Sequence, residues 1–115
     1  MKLPDFEQVN GPVLMLNMLK FRDKAHYIET YIPAFNEVVS QLGIEGIKVT
    51  LMSEVISNII ASEHDDWDAI LLVEYPTAKA FKTIAESEAY HTIAGPQREA
   101  ALTDLKLFMT QKTAL

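Results

Sequence analysis

The feature that most constrains this chain is a nearly continuous apolar stretch from Val13 to Phe21. Asn17 and Lys20 are its only polar residues, so apolar side chains occupy both sets of alternating positions. Such a stretch is typical of a β-strand that is covered on both faces. Burying an amide without hydrogen-bond partners costs roughly 1–3 kcal/mol. We therefore expect the Asn17 amide either to be satisfied by neighbouring backbone or a partner chain, or to face a pocket.

A helix is predicted after this strand. Apolar residues recur at helical spacing over residues 28–42, Asp23 is a suitable N-cap, and Gly43 marks the end. Pro33 interrupts the pattern, because a proline removes one helical hydrogen bond and clashes with the preceding turn. We expect a kink, or two abutting helical segments, near Ile32.

The pattern changes to period two after Gly46, which predicts a long strand with a more polar second face. A polar turn at residues 63–66 then leads into another strand at residues 68–75, which is apolar on both faces. One face of the long strand is expected to carry five apolar residues: Ile47, Val49, Leu51, Val55 and Ile59.

The last third of the chain returns to helical spacing and ends in a strand. Phe81 and Ile84 are expected to face the core from a helix, and Ser87 is a candidate cap for a second short helix. Gly95-Pro96 is expected to break that second helix. A final strand is predicted at about residues 104–111.

The order strand, helix, strand, strand, helix, strand is the signature of a ferredoxin-like βαββαβ sandwich, an α+β fold. Helices then cover one face of the sheet. The first and third strands are apolar on the other face as well, and an exposed apolar patch of that extent usually marks an interface. The pattern therefore predicts a homodimer in which the sheets of two identical chains face each other.

Composition limits the possible function classes. A length of 115 residues is usual for one domain, so we expect a single domain over residues 1–115. The net charge of −6 argues against nucleic-acid and anionic-membrane partners, which need a basic surface. The absence of cysteine excludes disulfides, thiolate nucleophiles and thiolate metal sites. We see no signal-peptide or transmembrane pattern and expect a cytoplasmic protein.

Several motifs resemble the family catalogued as domain of unknown function 1330, within the dimeric α+β barrel superfamily. They span most of the chain in order: LNMLKF at 16–21, Tyr27, Tyr31, WDAILLVEYP at 67–76, Phe81, EAY at 88–90 and REAALTD at 98–104. The resemblance implies a βαββαβ fold, a homodimer with facing sheets, and a cleft between sheet and helices. Elsewhere in the superfamily that cleft binds small organic substrates of monooxygenases, isomerases, dehydratases and haem-degrading enzymes.

Four polar side chains are candidates for binding a small organic ligand. Asn17 could orient a substrate carbonyl or stabilise an enolate by donating a hydrogen bond; the alternative is a structural amide. Lys20, Arg22 and Arg98 could hold a carboxylate, and the arginine fork suits that task best. Ordinary surface charge is the alternative for each of these three, and the family resemblance favours Arg98.

Two further residues are candidates for moving a proton. Glu74 follows an apolar run and could serve as a general base if it is buried. A structural ion pair with Lys20 or Arg98 is the alternative account of Glu74. His91 could be an acid, a base or a haem ligand, and its alternative is an ordinary histidine on a helix surface.

Aromatic side chains could line the pocket, and we name Tyr27, Tyr31 and Trp67 as candidates. Tyr75 and Tyr90 could have the same role, whereas plain core packing is the alternative for every tyrosine. A position at the edge of the core is the alternative for Trp67.

Two main hypotheses follow from these residues. The first is an enzyme that needs no cofactor and acts on a small apolar carbonyl or carboxylate compound. The second is a non-catalytic homodimer that binds a metabolite or has a structural role. A third, haem degradation, rests on a loose match of Asn17, Trp67 and His91 to haem-degrading relatives. The histidines lack metal-ligand spacing, and we expect neither a metal nor a cofactor.

Overall fold

A computed structural model describes residues 2–115 and contains one four-stranded sheet. Its strands are β1 (Val13–Phe21), β2 (Lys48–Glu54), β3 (Ala69–Tyr75) and β4 (Leu102–Thr110). The hydrogen-bonded order is β2-β3-β1-β4, and every neighbouring pair is antiparallel. The two strands predicted to be apolar on both faces, β1 and β3, are therefore the central ones.

Helical segments connect β1 to β2 and β3 to β4, so the predicted ferredoxin-like α+β fold is confirmed. The first connection contains α1 (Lys24–His26), a π-helical turn (Tyr27–Tyr31) and α2 (Ile32–Leu42). The second contains α3 (Ala78–Glu86), another π-helical turn (Tyr90–Ala94) and α4 (Gly95–Ala101). Within residues 2–115, no helix is long and apolar enough to cross a membrane.

The hydrophobic core lies between the sheet and these helices. Residues alternate along β3, where Ala69, Leu71, Val73 and Tyr75 are buried on the helix side. The β1 residues on that side include Val13, Met15 and Leu19, and helix residues such as Val38 and Ile84 pack with them. The core therefore fixes which side chains of β1 and β3 point toward the helices.

The outer face of the sheet has no helix from residues 2–115 against it and is largely apolar at its centre. Leu14, Leu16 and Met18 of β1 lie on this face beside Ile70 and Leu72 of β3, and all five are half-buried. We call these five residues the outer-face patch. Leu51 and Phe108 on the flanking strands are about half exposed, at 50% and 47%. The expectation that β1 and β3 are apolar on both faces is thus confirmed.

Asp23 caps the first helical connection, as predicted. Its Oδ1 accepts a hydrogen bond from the main-chain N–H of His26 at 3.0 Å. Gly43 ends α2 with φ of 67°, a left-handed conformation that favours glycine. Ser87 likewise accepts a hydrogen bond from the N–H of Tyr90 at 3.0 Å, as expected of a cap.

We expect Asp23→Ala to lower the free energy of unfolding by about 1 kcal/mol, because the cap satisfies a helix N–H that would otherwise lack a partner. Urea denaturation followed by circular dichroism measures this loss. Glu45→Ala, at an exposed loop position, is the control and should change stability by less than about 0.5 kcal/mol. Equal stability of the two variants would contradict a stabilising role for the cap.

Pro33 does not break its helix, and a π-helical turn precedes it. The N–H of Ile32 donates to the carbonyl of Tyr27, five residues earlier, and Pro33 is the second residue of α2. The wider turn relieves the clash that a proline ring makes with the preceding helical carbonyl. The prediction of two abutting segments near Ile32 is confirmed.

Gly95-Pro96 follows a second π-helical turn, and the prediction that it breaks the helix was wrong. The N–H of Gly95 donates to the carbonyl of Tyr90, and the helix continues as α4 to Ala101. Proline is tolerated here as in the first connection, because a wider π-helical turn precedes it and it is the second residue of the new segment.

The strand predicted between Gly46 and Ile59 is shorter than expected, since β2 ends at Glu54. Its partner β3 begins at Ala69, which pairs with Glu54, and one further hydrogen bond runs from the N–H of Val55 to the carbonyl of Asp68 before the two segments separate. A register shift between Val49 and Leu51 also changes which side chains share a face. The predicted shared face was therefore wrong, and Ile59 is 87% exposed.

Candidate functional site

A cavity of about 300 Å³ lies between the helix side of the sheet and the two π-helical turns. Its lining includes Met15 and Leu19 of β1 and Leu105 and Leu107 of β4, which make most of the sheet side apolar. Most polar groups come from the helical side (Tyr27, Tyr31, Tyr90, His91 and Arg98), and Asn17 and Tyr75 add two from the sheet. The arrangement is a mostly apolar space with polar groups concentrated on one side.

A second cavity of about 220 Å³ adjoins the first. It lies farther across the sheet, against β3 and β2, and under α2. Five residues line both cavities: Asn17, Tyr27, Tyr31, Phe35 and Tyr75. We call these five residues the neck.

Tyr90 is the centre of a hydrogen-bonded chain in the first cavity. Its hydroxyl lies 2.8 Å from the Tyr31 hydroxyl and accepts a hydrogen bond from Nη1 of Arg98 at 3.1 Å. The Arg98 guanidinium also lies 5.7 Å from the centre of the Tyr90 ring, within cation–π range. The π-helical turn that begins at Tyr90 thus brings α4 and the first helical connection together at one polar cluster.

Three tyrosines at the neck stay neutral at physiological pH. Burial raises the pKa of Tyr31 well above its ordinary value, and the Tyr90 hydroxyl raises this pKa further. Burial likewise raises the pKa of Tyr27 and of Tyr75. Their hydroxyls therefore act as neutral hydrogen-bonding groups rather than as phenolate bases.

Asn17 lies on the helix side of β1 and lines both cavities, so it does not face the outer surface of the sheet. Its Nδ2 donates to the carbonyls of Met15 and Leu71 at 3.3 and 3.2 Å. An inverted amide would place its oxygen against those two carbonyl oxygens, so the contacts fix the orientation. Because both amide hydrogens are used, Asn17 presents an acceptor oxygen and not the donor that the sequence led us to expect.

Arg98 is half-buried and has no acidic partner. No Asp or Glu oxygen among residues 2–115 lies within 4.0 Å of its guanidinium, although Glu99 also lines the cavity. One hydrogen bond to Tyr90 leaves several of its five donors available. A positive group without a counter-charge at the edge of an apolar cavity favours an anionic ligand.

Lys20 and Arg22 lie outside both cavities, contrary to the expectation that they help bind a ligand. Lys20 is on the outer face of the sheet and pairs with Asp66 at 3.1 Å. Arg22 is exposed beyond the end of β1, where its main-chain N–H donates to the carbonyl of Ala101. Of the three cationic candidates, the structure brings only Arg98 to the cavity.

Glu74 and Trp67 are also placed away from the cavities. Glu74 points to the outer face, opposite Lys48 of β2, and forms no ion pair with Lys20 or Arg98. Trp67 precedes β3 and has Lys106 Nζ 5.5 Å from its ring centre. The expected roles of Glu74 as a cavity base and of Trp67 as a lining residue therefore do not fit their positions.

His91 lines the first cavity from an exposed position at its rim. Because Trp67 is elsewhere, the loose match of Asn17, Trp67 and His91 to haem-degrading proteins does not form a spatial cluster. Residues 2–115 also contain no group of three His, Asp or Glu side chains arranged to hold a metal ion.

Some lining residues were not predicted from the sequence, notably Phe35, Phe81, Leu105 and Leu107. An apolar residue that lines a cavity has the same spacing as one that fills the core, so no pattern separates the two. Tyr90 was among the tyrosines expected at a pocket, and its spacing to Pro96 repeats the spacing of Tyr27 to Pro33. That repeated spacing coincides with both π-helical turns.

No protein-family model matches this sequence, and no curated protein sequence matches it. Among solved structures, RPA0582, a protein of unknown function from Rhodopseudomonas palustris, aligns with a TM-score of 0.75 at 24% identity, covering 93% of this chain and 87% of that one. A DABB family protein with a ferredoxin-like fold from Mesorhizobium loti has a TM-score of 0.57 at 11% identity, with 91% and 100% coverage. SnoaB, a cofactor-independent oxygenase from Streptomyces nogalater, has a TM-score of 0.55 at 11% identity, with 90% and 97% coverage. These similarities establish the fold and leave the activity open.

Proposed function

We propose that this protein binds a small, largely apolar molecule with a carboxylate or carbonyl group in the first cavity, and converts it without a cofactor. The observation that carries the proposal is the chain of hydrogen bonds from Tyr31 through Tyr90 to Arg98 at the edge of an apolar space. Pockets for small molecules combine apolar walls with a few convergent polar groups, and 300 Å³ is at the low end of their volumes.

Each polar group has a distinct role in this proposal. Arg98 anchors the anionic or carbonyl oxygen, and the neutral tyrosine hydroxyls orient it. The Asn17 oxygen accepts a hydrogen bond from a hydroxyl or enol of the ligand. His91, at the rim, is the side chain that moves a proton, since imidazole is a common general base.

Arg98→Met should weaken the binding of benzoate by about 10- to 150-fold, because a hydrogen bond to a charged group contributes about 1.5–3 kcal/mol. NMR titration measures the affinity. The affinity for benzamide, which lacks the charge, should fall by a smaller factor in the same variant. Arg22→Met is the matched control, since Arg22 lies outside both cavities. An unchanged benzoate affinity in Arg98→Met would contradict the anchoring role.

A non-catalytic metabolite-binding protein is the second candidate function. The position of Glu74 favours it, because the carboxylate expected to act as a base is on the outer face of the sheet. Incubation with a panel of small keto acids and aromatic acids, followed by NMR, distinguishes the candidates. Turnover that is lost in His91→Gln while binding remains supports the enzyme; binding of panel members without any conversion supports the second candidate.

We also propose that a second copy of this chain covers the outer-face patch. The patch is apolar and continuous over the two central strands, and no helix in the described part of the chain lies against it. Exposed apolar surface of this kind usually marks an interface. A two-fold symmetric dimer would place the same five residues of each chain opposite one another.

The motifs described above support membership of the family catalogued as domain of unknown function 1330. We propose, further, that the protein is cytoplasmic.

We also propose that residues 1–115 act as one domain. Limited proteolysis tests the proposal of a single domain, because a single domain should give no stable fragment that retains only part of the sheet.

A further inference from the structure

We infer that the second cavity holds the apolar tail of the ligand whose head binds at Arg98, so that the ligand is an elongated amphipathic carboxylic acid. This inference rests on the proposed function, because it assumes that the first cavity binds the charged head. It adds a second binding subsite and narrows the ligand class from small apolar acids to acids with an extended aliphatic chain.

The positions of the two cavities support one long binding site. The first lies against β1 and β4, and the second against β3 and β2, so together they extend across the whole sheet. Four neighbouring strands are separated by three gaps of about 4.8 Å, which gives a span of roughly 14 Å. A compact ligand at Arg98 would leave the far part of this space empty.

The chemistry of the lining changes along this span. The charged side chains Arg98 and Glu99 and the rim residue His91 all belong to the first cavity. No charged side chain among residues 2–115 lines the second cavity, where Val39, Ile44 and other apolar residues predominate. A head group that needs a positive partner therefore fits only the first cavity, whereas a hydrocarbon chain fits the second.

The five neck residues line both cavities, and the inference places the ligand's chain among them. Tyr27 and Tyr31 stack with ring centres 5.1 Å apart, and Phe35 continues the aromatic row. The Tyr31 hydroxyl is already bonded to Tyr90, and the Asn17 amide hydrogens are bonded to main-chain carbonyls. An apolar chain can pass these bonded groups without breaking their hydrogen bonds, whereas the Asn17 oxygen and the Tyr27 and Tyr75 hydroxyls gain no partner from it.

A series of straight-chain acids tests the inference. Each methylene that enters the second cavity should tighten binding about fourfold, so octanoate should bind about 200-fold tighter than butanoate. NMR titration and calorimetry measure the affinities for butanoate, hexanoate and octanoate. Arg98→Met should weaken all three, because all share the carboxylate.

Two substitutions that fill the second cavity make the test specific. Val39 and Ile44 line only the second cavity. Val39→Phe and Ile44→Phe should therefore each remove most of the increase in affinity from butanoate to octanoate and leave the affinity for butanoate unchanged. Two separate substitutions are used in case one variant does not fold. Circular dichroism shows whether each variant is folded. Ile60→Phe is the matched control, because Ile60 is 97% exposed in the loop between β2 and β3 and should leave the series unchanged.

The outcomes separate this inference from the proposed function. If octanoate and butanoate bind equally well and both depend on Arg98, the tail subsite is wrong and the proposed head site remains. If the full gain with chain length persists in both cavity-filling variants, the chain binds elsewhere and the inference is overturned. If none of the acids binds in an Arg98-dependent way, the proposed function fails together with the inference.

Discussion

Leu16→Lys is expected to convert the protein from dimers to monomers at micromolar concentration. Leu16 lies at the middle of the outer-face patch, between Leu14 and Met18 on the same face of β1. In a two-fold dimer, each copy would bury a lysine against its partner. An unpaired charge removed from water costs several kcal/mol, and about 4 kcal/mol corresponds to a thousandfold weaker dimer.

Light scattering coupled to size-exclusion chromatography measures this change directly. Ile60→Lys adds the same charge at an exposed loop position and should leave the dimer intact. Circular dichroism should show the same fold in both variants. A wild-type protein that is already monomeric at micromolar concentration would refute the proposed dimer.

Leu19→Ala is expected to lower the free energy of unfolding by about 2–5 kcal/mol, a large share of the total stability of a domain. Leu19 is completely buried, lies on the central strand β1, and has Ala69 and Leu105 as its neighbours on the adjacent strands. Ala69 is small, so its side chain cannot fill the cavity that the truncation of Leu19 leaves.

Urea denaturation should be performed at one fixed protein concentration, because association of the folded chains would add to the apparent stability. Ile56→Ala is the matched control, since Ile56 is 89% exposed and its truncation should cost less than about 0.5 kcal/mol. A loss of less than 1 kcal/mol in Leu19→Ala would mean that the core relaxes to fill the cavity.

The sequence predicted the central strands β1 and β3 well and the edge strand β2 poorly, for a physical reason. β1 was placed at Val13–Phe21 because a strand covered on both faces leaves a continuous apolar run. β2 was predicted to continue to Ile59 because the alternation of apolar residues in the sequence continues to that residue. A strand needs a hydrogen-bonding partner along its whole length, and the sequence of β2 contains no information on where β3 begins.

The candidate site was predicted in part, and the errors on the strands share one cause. Asn17, Tyr27, Tyr31, His91 and Arg98 all line the first cavity. The misplaced residues on strands, Lys20 and Glu74, point to the outer face instead. Because β1 and β3 are apolar on both faces, alternation alone does not reveal which face meets the helices, and one residue of offset reverses every assignment.

The π-helical turn before Pro33 determines the direction in which two tyrosines point. One residue corresponds to about 100° of rotation around an α-helix, so a regular helix in place of this turn would change the angular phase of Tyr27 and Tyr31 relative to Phe35. Pro33 is exposed and lines neither cavity. The shape of both cavities therefore depends on a backbone constraint at the surface, and sequence changes at Pro33 should alter that shape from outside the cavities.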